Sequence, residues 1–226
     1  MSALKLAVFD VDGTLVDSRS SIFQASTEAA AAVGITAPSY DQVRSIVGLS
    51  LFKAIVAMLP EHDDATHHAF MREFQAVFSR RADAADAHEV LYDGADALLR
   101  QLKGEGWLIG MATGQSRRGV NRCLNGYDWH EVFDGTFCAD DGPSKPHPHM
   151  LEANLKALGV DRHQAVMIGD TGHDMRMARE AGIRAIGVSW GFHTIEELEL
   201  GGSHEIVHSF DELRRSLSVF TPLNVL

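Results

Sequence analysis

Apolar residues follow two patterns along this chain. Residues 4–9 form a short, almost continuous apolar run, which predicts a central parallel strand buried on both faces. From residue 20 onward apolar residues recur at spacings of three and four, as they do on one face of a helix. From Tyr92 to residue 217, short apolar runs alternate with helical spacing. The pattern therefore predicts a β/α chain with a helical block inserted near its start.

Four helices are predicted in the inserted block, and no strand is predicted among them. They cover residues 20–33, 40–47, 49–59 and 65–87. Gly34, Gly48 and the turn at 60–63 separate them. The last helix carries an apolar stripe, which we interpret as a packing face rather than a ligand contact; its members are Phe70, Phe74, Val77 and Phe78.

The rest of the chain alternates between predicted strands and predicted helices. The strands are 107–112, 132–138, 165–168, 185–188 and 206–207, and the helices are 95–103, 117–124, 149–158, 174–181, 194–200 and 210–217. Such alternation requires right-handed crossovers and a parallel sheet with helices on both faces. The predicted fold class is thus α/β, a doubly wound parallel sheet. Residues 1–15 and 87–226 form this core domain, and residues 16–86 form an inserted all-helical domain.

Composition and charge exclude several kinds of protein. Of the 226 residues, 45% are hydrophobic and 23% are charged, as in globular proteins with a sizeable core. The net charge of −11 argues against a general nucleic-acid or anionic-membrane surface, which would need clustered Lys and Arg. No membrane span or targeting signal is recognised, so we expect a cytoplasmic protein. The sequence leaves monomer and homodimer equally open.

Two carboxylates and a glycine follow the first predicted strand directly. Asp10 would lie at the strand's carboxyl end, with Asp12 and Gly13 in the turn beyond it. In open α/β sheets ligands bind at this edge, and glycine lets backbone N–H groups approach an anion closely. An ordinary strand and turn is the alternative, because Asp and Gly are common turn formers.

Three later strand ends carry chemistry of the same kind. Thr113 and Gly114 precede a helix N-terminus, which suits phosphate, although Thr113 alone would also fit a simple helix cap. Lys145 lies in a Pro-bounded loop and would serve as a point charge on phosphate, although alone it would also fit a surface lysine.

The third of these strand ends is acidic. Asp170 follows the strand at 165–168, and Asp174 lies one helical turn further along. Asp10 and Asp170 would supply the carboxylate pair that Mg²⁺ prefers, and a cation would relieve their mutual repulsion. A bound cation and Lys145 would thus balance the negative charge of the carboxylates that these four segments bring together.

With these residues in place, the sequence resembles the haloacid dehalogenase superfamily of phosphohydrolases, most closely its phosphoglycolate-phosphatase-like branch. The four motifs of that superfamily occur in order, as residues 10–14 (DVDGT), Thr113, Lys145-Pro146 and residues 169–174 (GDTGHD). The resemblance covers essentially the whole chain. It implies a Rossmann-like core, and it implies that the helical insertion is a cap domain placed after the first motif.

The resemblance also implies covalent catalysis with Mg²⁺. Asp10 would attack phosphorus to form an aspartyl-phosphate, and Asp12 would carry protons to the leaving group and from the attacking water. Thr113, Gly114 and Lys145 would hold the phosphoryl oxygens. The metal would be bound by Asp10, Asp170 and the backbone carbonyl of Asp12. Asp174 would support this set by orienting water or Lys145. The chain departs from the family pattern in one loop: many relatives carry Asn directly after the threonine and then a basic residue, where this chain has Gly114 and Gln115.

The expected substrate is a small phosphorylated metabolite similar to phosphoglycolate. Arg44, in a cap segment at 44–50, would meet an anionic substrate group, with Lys53 a second candidate, although both would also fit exposed helix surfaces. A sugar phosphomutase of the β-phosphoglucomutase type, a pyrophosphatase or nucleotidase, and a non-enzymatic phosphate-binding regulatory module remain alternatives. A transition-metal site at His147 and His149, or at His67 and His68, is disfavoured because no cysteine or His-Glu pattern supports it.

Overall fold

The computed structural model describes residues 4–82 and 89–220. Its strands, in chain order, are β1 (Leu6–Phe9), β2 (Val16–Asp17), β3 (Val90–Leu91), β4 (Leu108–Ala112), β5 (Gly135–Phe137), β6 (Ala165–Gly169), β7 (Arg184–Val188) and β8 (Glu205–Val207). Its helices are α1 (Arg19–Val33), α2 (Tyr40–Ile46), α3 (Leu51–Met58), α4 (Asp64–Ala82), α5 (Ala95–Gly104), α6 (Arg117–Gly126), α7 (His149–Leu158), α8 (Gly172–Ala181), α9 (Ile195–Gly201) and α10 (Phe210–Ser218).

Six strands form one parallel sheet in the order β5-β4-β1-β6-β7-β8. The chain lays β4 and β5 on one side of β1 and then β6, β7 and β8 on the other, so the strand order reverses at β1. Central Val8 of β1 pairs in register with Gly110 of β4 and Met167 of β6. Loops diverge at such a reversal and leave a crevice at the carboxyl ends of the strands. The loops after β1, β4 and β6 therefore border one crevice.

Two apolar layers cover the two faces of this sheet. Ala7 and Phe9 of β1 belong to the cluster that includes α5, α6 and α10, whereas Leu6 and Val8 belong to the cluster that includes α7, α8 and α9. Successive strand residues point to opposite faces, so a strand buried on both faces must be apolar throughout. This burial confirms the prediction from the continuous apolar run and the doubly wound α/β fold class.

Helices α1 to α4 pack around an apolar cluster of their own. Its buried members are Ala29, Ala30, Val43, Ile55, Met58, Leu59 and Phe70. The antiparallel pair β2 and β3 joins this block to the sheet, with Val16 opposite Leu91. Below, residues 16–82 are called the cap and the remaining described residues the core. The predicted domain boundary at residues 86 and 87, and the predicted end of the last cap helix, lie outside the described residues.

The structure differs from the predicted elements mainly at their ends. Helix α8 begins at Gly172 rather than 174, because the Thr171 side chain accepts the N–H of Asp174 and caps the helix there. The pair β2 and β3 was not predicted, since strands of two residues carry no periodicity. None of the described helices has both the length and the apolar composition that crossing a bilayer requires.

Candidate active site

A buried lysine joins two carboxylates at the carboxyl edge of the sheet. The Lys145 Nζ lies 2.7 Å from Oδ1 of Asp10 and 2.6 Å from Oδ1 of Asp174. All three side chains are inaccessible to solvent or nearly so. The loop before α7 thus brings Lys145 to the strand ends of β1 and β6, where the sequence predicted it to act.

Asp170 is held rigidly at the end of β6. The Thr14 hydroxyl donates to Oδ1 over 2.9 Å, and the backbone N–H of Phe192 donates to Oδ2 over 2.8 Å. Gly13 permits this packing, because a Cβ there would lie 2.2 Å from Oδ2 of Asp170, and its φ of +80° disfavours other residues. Gly13 of the first motif therefore allows the Asp170 carboxylate of the fourth motif to occupy this position.

Asp174 is fixed by the helix that it helps to start. Its Oδ2 accepts the Thr171 hydroxyl over 2.6 Å and the Thr171 backbone N–H over 3.1 Å, the reciprocal arrangement of a capping box. Its other oxygen is thereby directed toward Lys145. Asp174 is thus placed to orient the lysine.

Burial and crowding shift the acidities of these groups. Burial raises the pKa of Asp10 well above its usual value, against the opposing charge of Lys145. Burial and the nearby Asp174 carboxylate raise the pKa of Asp170 to about 7. Burial alone would lower the pKa of Lys145, but Asp10 and Asp174 raise it above its usual value, so the lysine stays charged. One cation among three buried carboxylates leaves excess negative charge.

The carboxylates fit a hard divalent cation. Asp10, Asp170 and Asp174 each offer an oxygen, and these atoms all lie within 4.8 Å of one another. The buried Oδ2 of Asp10 has no hydrogen-bond partner among the described residues, which leaves it available. An all-oxygen donor set suits Mg²⁺.

Histidine pairs do not form such a cluster. In the described parts of the chain, the aspartate set is the one group of three or more potential ligands. His67 and His68 each direct a ring nitrogen to a backbone carbonyl, and His149 does the same.

Asp12 lies half-buried beside this set, with its carboxylate held by a neighbouring amide. The Gln115 Nε2 donates to Oδ2 of Asp12 over 2.8 Å, and the Gln115 backbone N–H donates to the buried Thr113 hydroxyl over 3.2 Å. Burial raises the pKa of Asp12, the direction that favours carrying a proton. No role was assigned to Gln115 from the sequence. Its position in the loop after β4, next to Thr113 and Gly114, was the feature that could have indicated one.

A cavity of about 920 Å³ lies between the cap and this edge of the core. Asp10, Asp12, Gly114 and Gln115 line its core side. Cap residues line the other side: Ser21, Ile22, Ile46, Val47, Gly48, Leu49, Ser50, Leu51, Phe52, Ala54, Met71, Phe74, Gln75, Phe78 and Ser79. A cavity of this size is typical of small-molecule sites.

Arg44 is not among the residues that line the cavity. Its guanidinium lies 2.7 Å from Glu197 Oε2 and 2.9 Å from Asp41 Oδ1, and it donates to the Phe192 carbonyl. In this structure Arg44 thus contacts the core rather than the cavity, and its expected contact with an anionic substrate group stays a prediction. Lys53 is exposed on α3 and also lies outside the cavity lining.

The apolar stripe of α4 divides between two functions. Phe70 and Val77 are buried, as expected of a packing face. Phe74 is half-buried, packs against the cap cluster as predicted and also lines the cavity, whereas Phe78 is half-buried and lines the cavity without belonging to that cluster. Helical spacing places residues on neighbouring faces but does not say what covers each face.

The chain is similar in sequence and in fold to several known proteins. The family model for haloacid dehalogenase-like hydrolases matches residues 7–188. A probable phosphatase, IndB, from Dickeya dadantii is 35% identical over 92% of this chain and 91% of its own length. A phosphoglycolate phosphatase from Psychrobacter arcticus is 26% identical over 97% and 98% of the two chains. The crystal structure of a predicted phosphatase from Clostridium acetobutylicum matches with a TM-score of 0.84 and 26% identity over 96% and 99%.

Proposed function

The chain belongs to the haloacid dehalogenase-like hydrolase family, and from that premise we propose that it is a Mg²⁺-dependent phosphatase that cleaves a small phosphate monoester through an aspartyl-phosphate on Asp10. One observation carries the proposal. Asp10 is a buried carboxylate held by Lys145 through Oδ1, while its Oδ2 has no hydrogen-bond partner among the described residues and the residue lines the cavity. A fixed carboxylate with one available oxygen is suited to attack phosphorus in line with a leaving group.

Asp10 and Asp12 have separate tasks in this mechanism. An Asp10 oxygen forms a bond to phosphorus as the bond from phosphorus to the leaving oxygen breaks. Asp12 gives its proton to that leaving oxygen and then takes a proton from water, which attacks phosphorus and releases Asp10. The Gln115 amide holds Asp12 in position for both steps.

The phosphoryl oxygens are bound by residues from two other loops. The Thr113 hydroxyl, the Gly114 N–H and the Lys145 ammonium supply donors at the crevice, and Asp174 positions Lys145. Asp10 and Asp170, with the backbone carbonyl of Asp12, would hold Mg²⁺. When bound, the metal would supply positive charge that offsets the negative charge of the phosphoryl group and the carboxylates.

Substitution of each aspartate tests the division of labour. Asp10→Asn removes the nucleophile, so we expect no phosphoenzyme and no turnover with any ester. Asp12→Asn removes the proton carrier, which typically contributes roughly 10²–10⁴ in rate. With p-nitrophenyl phosphate the departing phenolate needs little protonation, so attack by Asp10 should persist while water attack slows. Rapid quenching and intact mass spectrometry should then detect one added phosphoryl group in Asp12→Asn.

Two results would contradict these roles. Phosphorylation of the Asp10→Asn protein would remove Asp10 as the nucleophile. Equal losses for alkyl and aryl esters in Asp12→Asn would remove Asp12 as the acid. A panel with phosphoglycolate, sugar phosphates, pyrophosphate and nucleotides, analysed for free phosphate against isomerised product, separates hydrolysis from phosphoryl transfer within a sugar.

A further inference from the structure

The cavity wall that the cap supplies is mainly apolar, with three serines and one glutamine as its polar members. Among the described residues, every cap side chain that lines the cavity is apolar or neutral. Phe52, Phe74 and Phe78 contribute aromatic rings to this wall. A small anionic leaving group, such as a two-carbon carboxylate, would find no cation there.

Three phenylalanines and one methionine of this wall are only partly covered by their neighbours. Phe52, Met71, Phe74 and Phe78 are all half-buried. The Phe74 and Phe78 rings lie 5.0 Å apart between centroids and are tilted by 46°. Phe78 does not belong to the packed cluster at the centre of the cap, so its side chain is not needed to fill that cluster. The wall thus leaves apolar surface for an occupant to cover.

The core wall carries charges of both signs, because two arginines line it together with four carboxylates, those of Asp10 and Asp12 included. Arg118 and Arg122 line the cavity from α6, and neither forms an ion pair with any residue within 4–82 or 89–220. Arg122 lines the same cavity as Asp12, on its catalytic side. Cations on that side attract the phosphate dianion. A substrate lying across the cavity would therefore present its phosphate to the core and its other end to the cap.

We infer that the phosphate ester cleaved here has a bulky apolar leaving group, aromatic in kind, which lies against Phe52, Phe74 and Phe78. This inference rests on the proposed phosphatase function, because continuity of the cavity with Asp10 and Asp12 makes the leaving group its occupant. The volume of about 920 Å³ accommodates such a group, whereas a glycolate would cover little of the apolar wall. A larger leaving group would remove more of this apolar wall from water, which would favour binding of the larger ester.

A series of esters of primary alcohols tests the inference while leaving-group acidity changes little. The members are phosphoglycolate and ethyl, phenylethyl and naphthylethyl phosphate. We expect kcat/KM to rise about tenfold or more from ethyl to naphthylethyl phosphate, as apolar area is removed from water, and phosphoglycolate to remain near the ethyl ester. Preference for phosphoglycolate over naphthylethyl phosphate would overturn the inference and leave the phosphatase function intact.

Phe78→Ala assigns the effect to the cap wall. The ratio of kcat/KM between naphthylethyl and ethyl phosphate should fall about tenfold in this variant. Phe23→Ala is the matched control, because Phe23 is a half-buried cap phenylalanine that packs on Tyr40 outside this cavity. An unchanged ratio in Phe78→Ala, or an equal fall in Phe23→Ala, would contradict the inference.

Binding of the product alcohol separates this inference from the proposed function. Fluorescence titration of metal-free protein with naphthylethanol needs no turnover, and we expect saturable binding that Phe78→Ala weakens about tenfold. Inactivity toward every ester, p-nitrophenyl phosphate included, would reject the phosphatase function, and the titration would still decide whether the cavity takes an aromatic alcohol. Absence of saturable binding by the wild-type protein would overturn the inference.

Discussion

At the scale of single residues, Lys145 carries a buried charge that depends on two ion-pair partners. Its ammonium is fully buried and forms two ion pairs, with Asp10 and Asp174. Removing a charge from water costs several kcal/mol, which close opposite charges recover only in a fixed geometry. Removing the lysine would leave two buried carboxylates facing each other without a cation.

Lys145→Met should therefore destabilise the fold as well as abolish turnover. Loss of one member of a buried ionic group typically costs about 3–5 kcal/mol in the free energy of unfolding. Urea denaturation in the absence of divalent cations measures it. Lys103→Met is the matched control, because Lys103 pairs with Asp134 near the surface and its loss should cost about 1 kcal/mol or less. Equal losses in the free energy of unfolding for the two variants would show that the buried ion pairs of Lys145 contribute no more than a surface ion pair.

At the scale of elements, one segment of the cap makes several contacts with the core. This segment, residues 44–50, consists of the end of α2 and the loop that connects α2 to α3. The Ser144 hydroxyl donates to that of Ser50 over 3.1 Å, and a His173 ring nitrogen lies 3.2 Å from the Ser45 carbonyl oxygen. A Cβ on Gly114 would lie 2.7 Å from the Leu49 carbonyl oxygen, so the two loops pass at van der Waals distance. Closure of the cavity therefore depends on how this segment sits on the core.

Arg44 and Glu197 should act together through this contact. Arg44→Ala should lower kcat/KM for phosphoglycolate and for ethyl phosphate by the same factor, about two- to fivefold, because a partly exposed ion pair contributes up to about 1 kcal/mol. A double-mutant cycle with Glu197→Gln should show that the two losses are not additive. Arg72→Ala, an exposed change on α4, serves as the control. A loss confined to phosphoglycolate would instead support the original expectation that Arg44 meets an anionic substrate.

At the scale of the whole molecule, acidic charge links the site to overall stability. The chain carries a net charge of −11, and Asp10, Asp170 and Asp174 concentrate three carboxylates in its interior. A ligand that binds the folded state alone stabilises it by mass action. A divalent cation bound by these carboxylates should therefore stabilise the entire fold.

Mg²⁺ should raise the thermal midpoint of the protein. At a free concentration one hundred times its Kd the gain is about 2.7 kcal/mol, which corresponds to roughly 5–10 °C for a chain of this size. Scanning calorimetry with Mg²⁺, with EDTA, and with NaCl at matched ionic strength measures the shift. Asp170→Asn should lose most of it, and EDTA should abolish turnover of the wild-type protein. An equal shift with NaCl, or full activity in excess EDTA, would argue against a metal site here.

The α/β class and the positions of the chemical groups along the chain could be predicted from the amino-acid sequence. Residues 6–9 could be predicted as a strand covered on both faces, because a short uninterrupted apolar run that ends in turn residues is typical of such a strand. Asp10, Thr113 and Asp170 follow buried strands, and parallel strands end at the same edge, so their proximity could be predicted from local pattern and topology. These are properties of short segments, which sequence periodicity reports.

The contacts of each of these residues, in contrast, depend on how distant segments pack together. Lys145 is buried because two distant carboxylates surround it, and Arg44 faces Glu197, which lies 153 positions further along the chain. Phe70 and Phe78 belong to the same apolar stripe, yet Phe70 fills the cap cluster and Phe78 lines the cavity. Periodicity specifies the direction of a side chain relative to its own helix, whereas the partner on that side is set by the packing of separate elements.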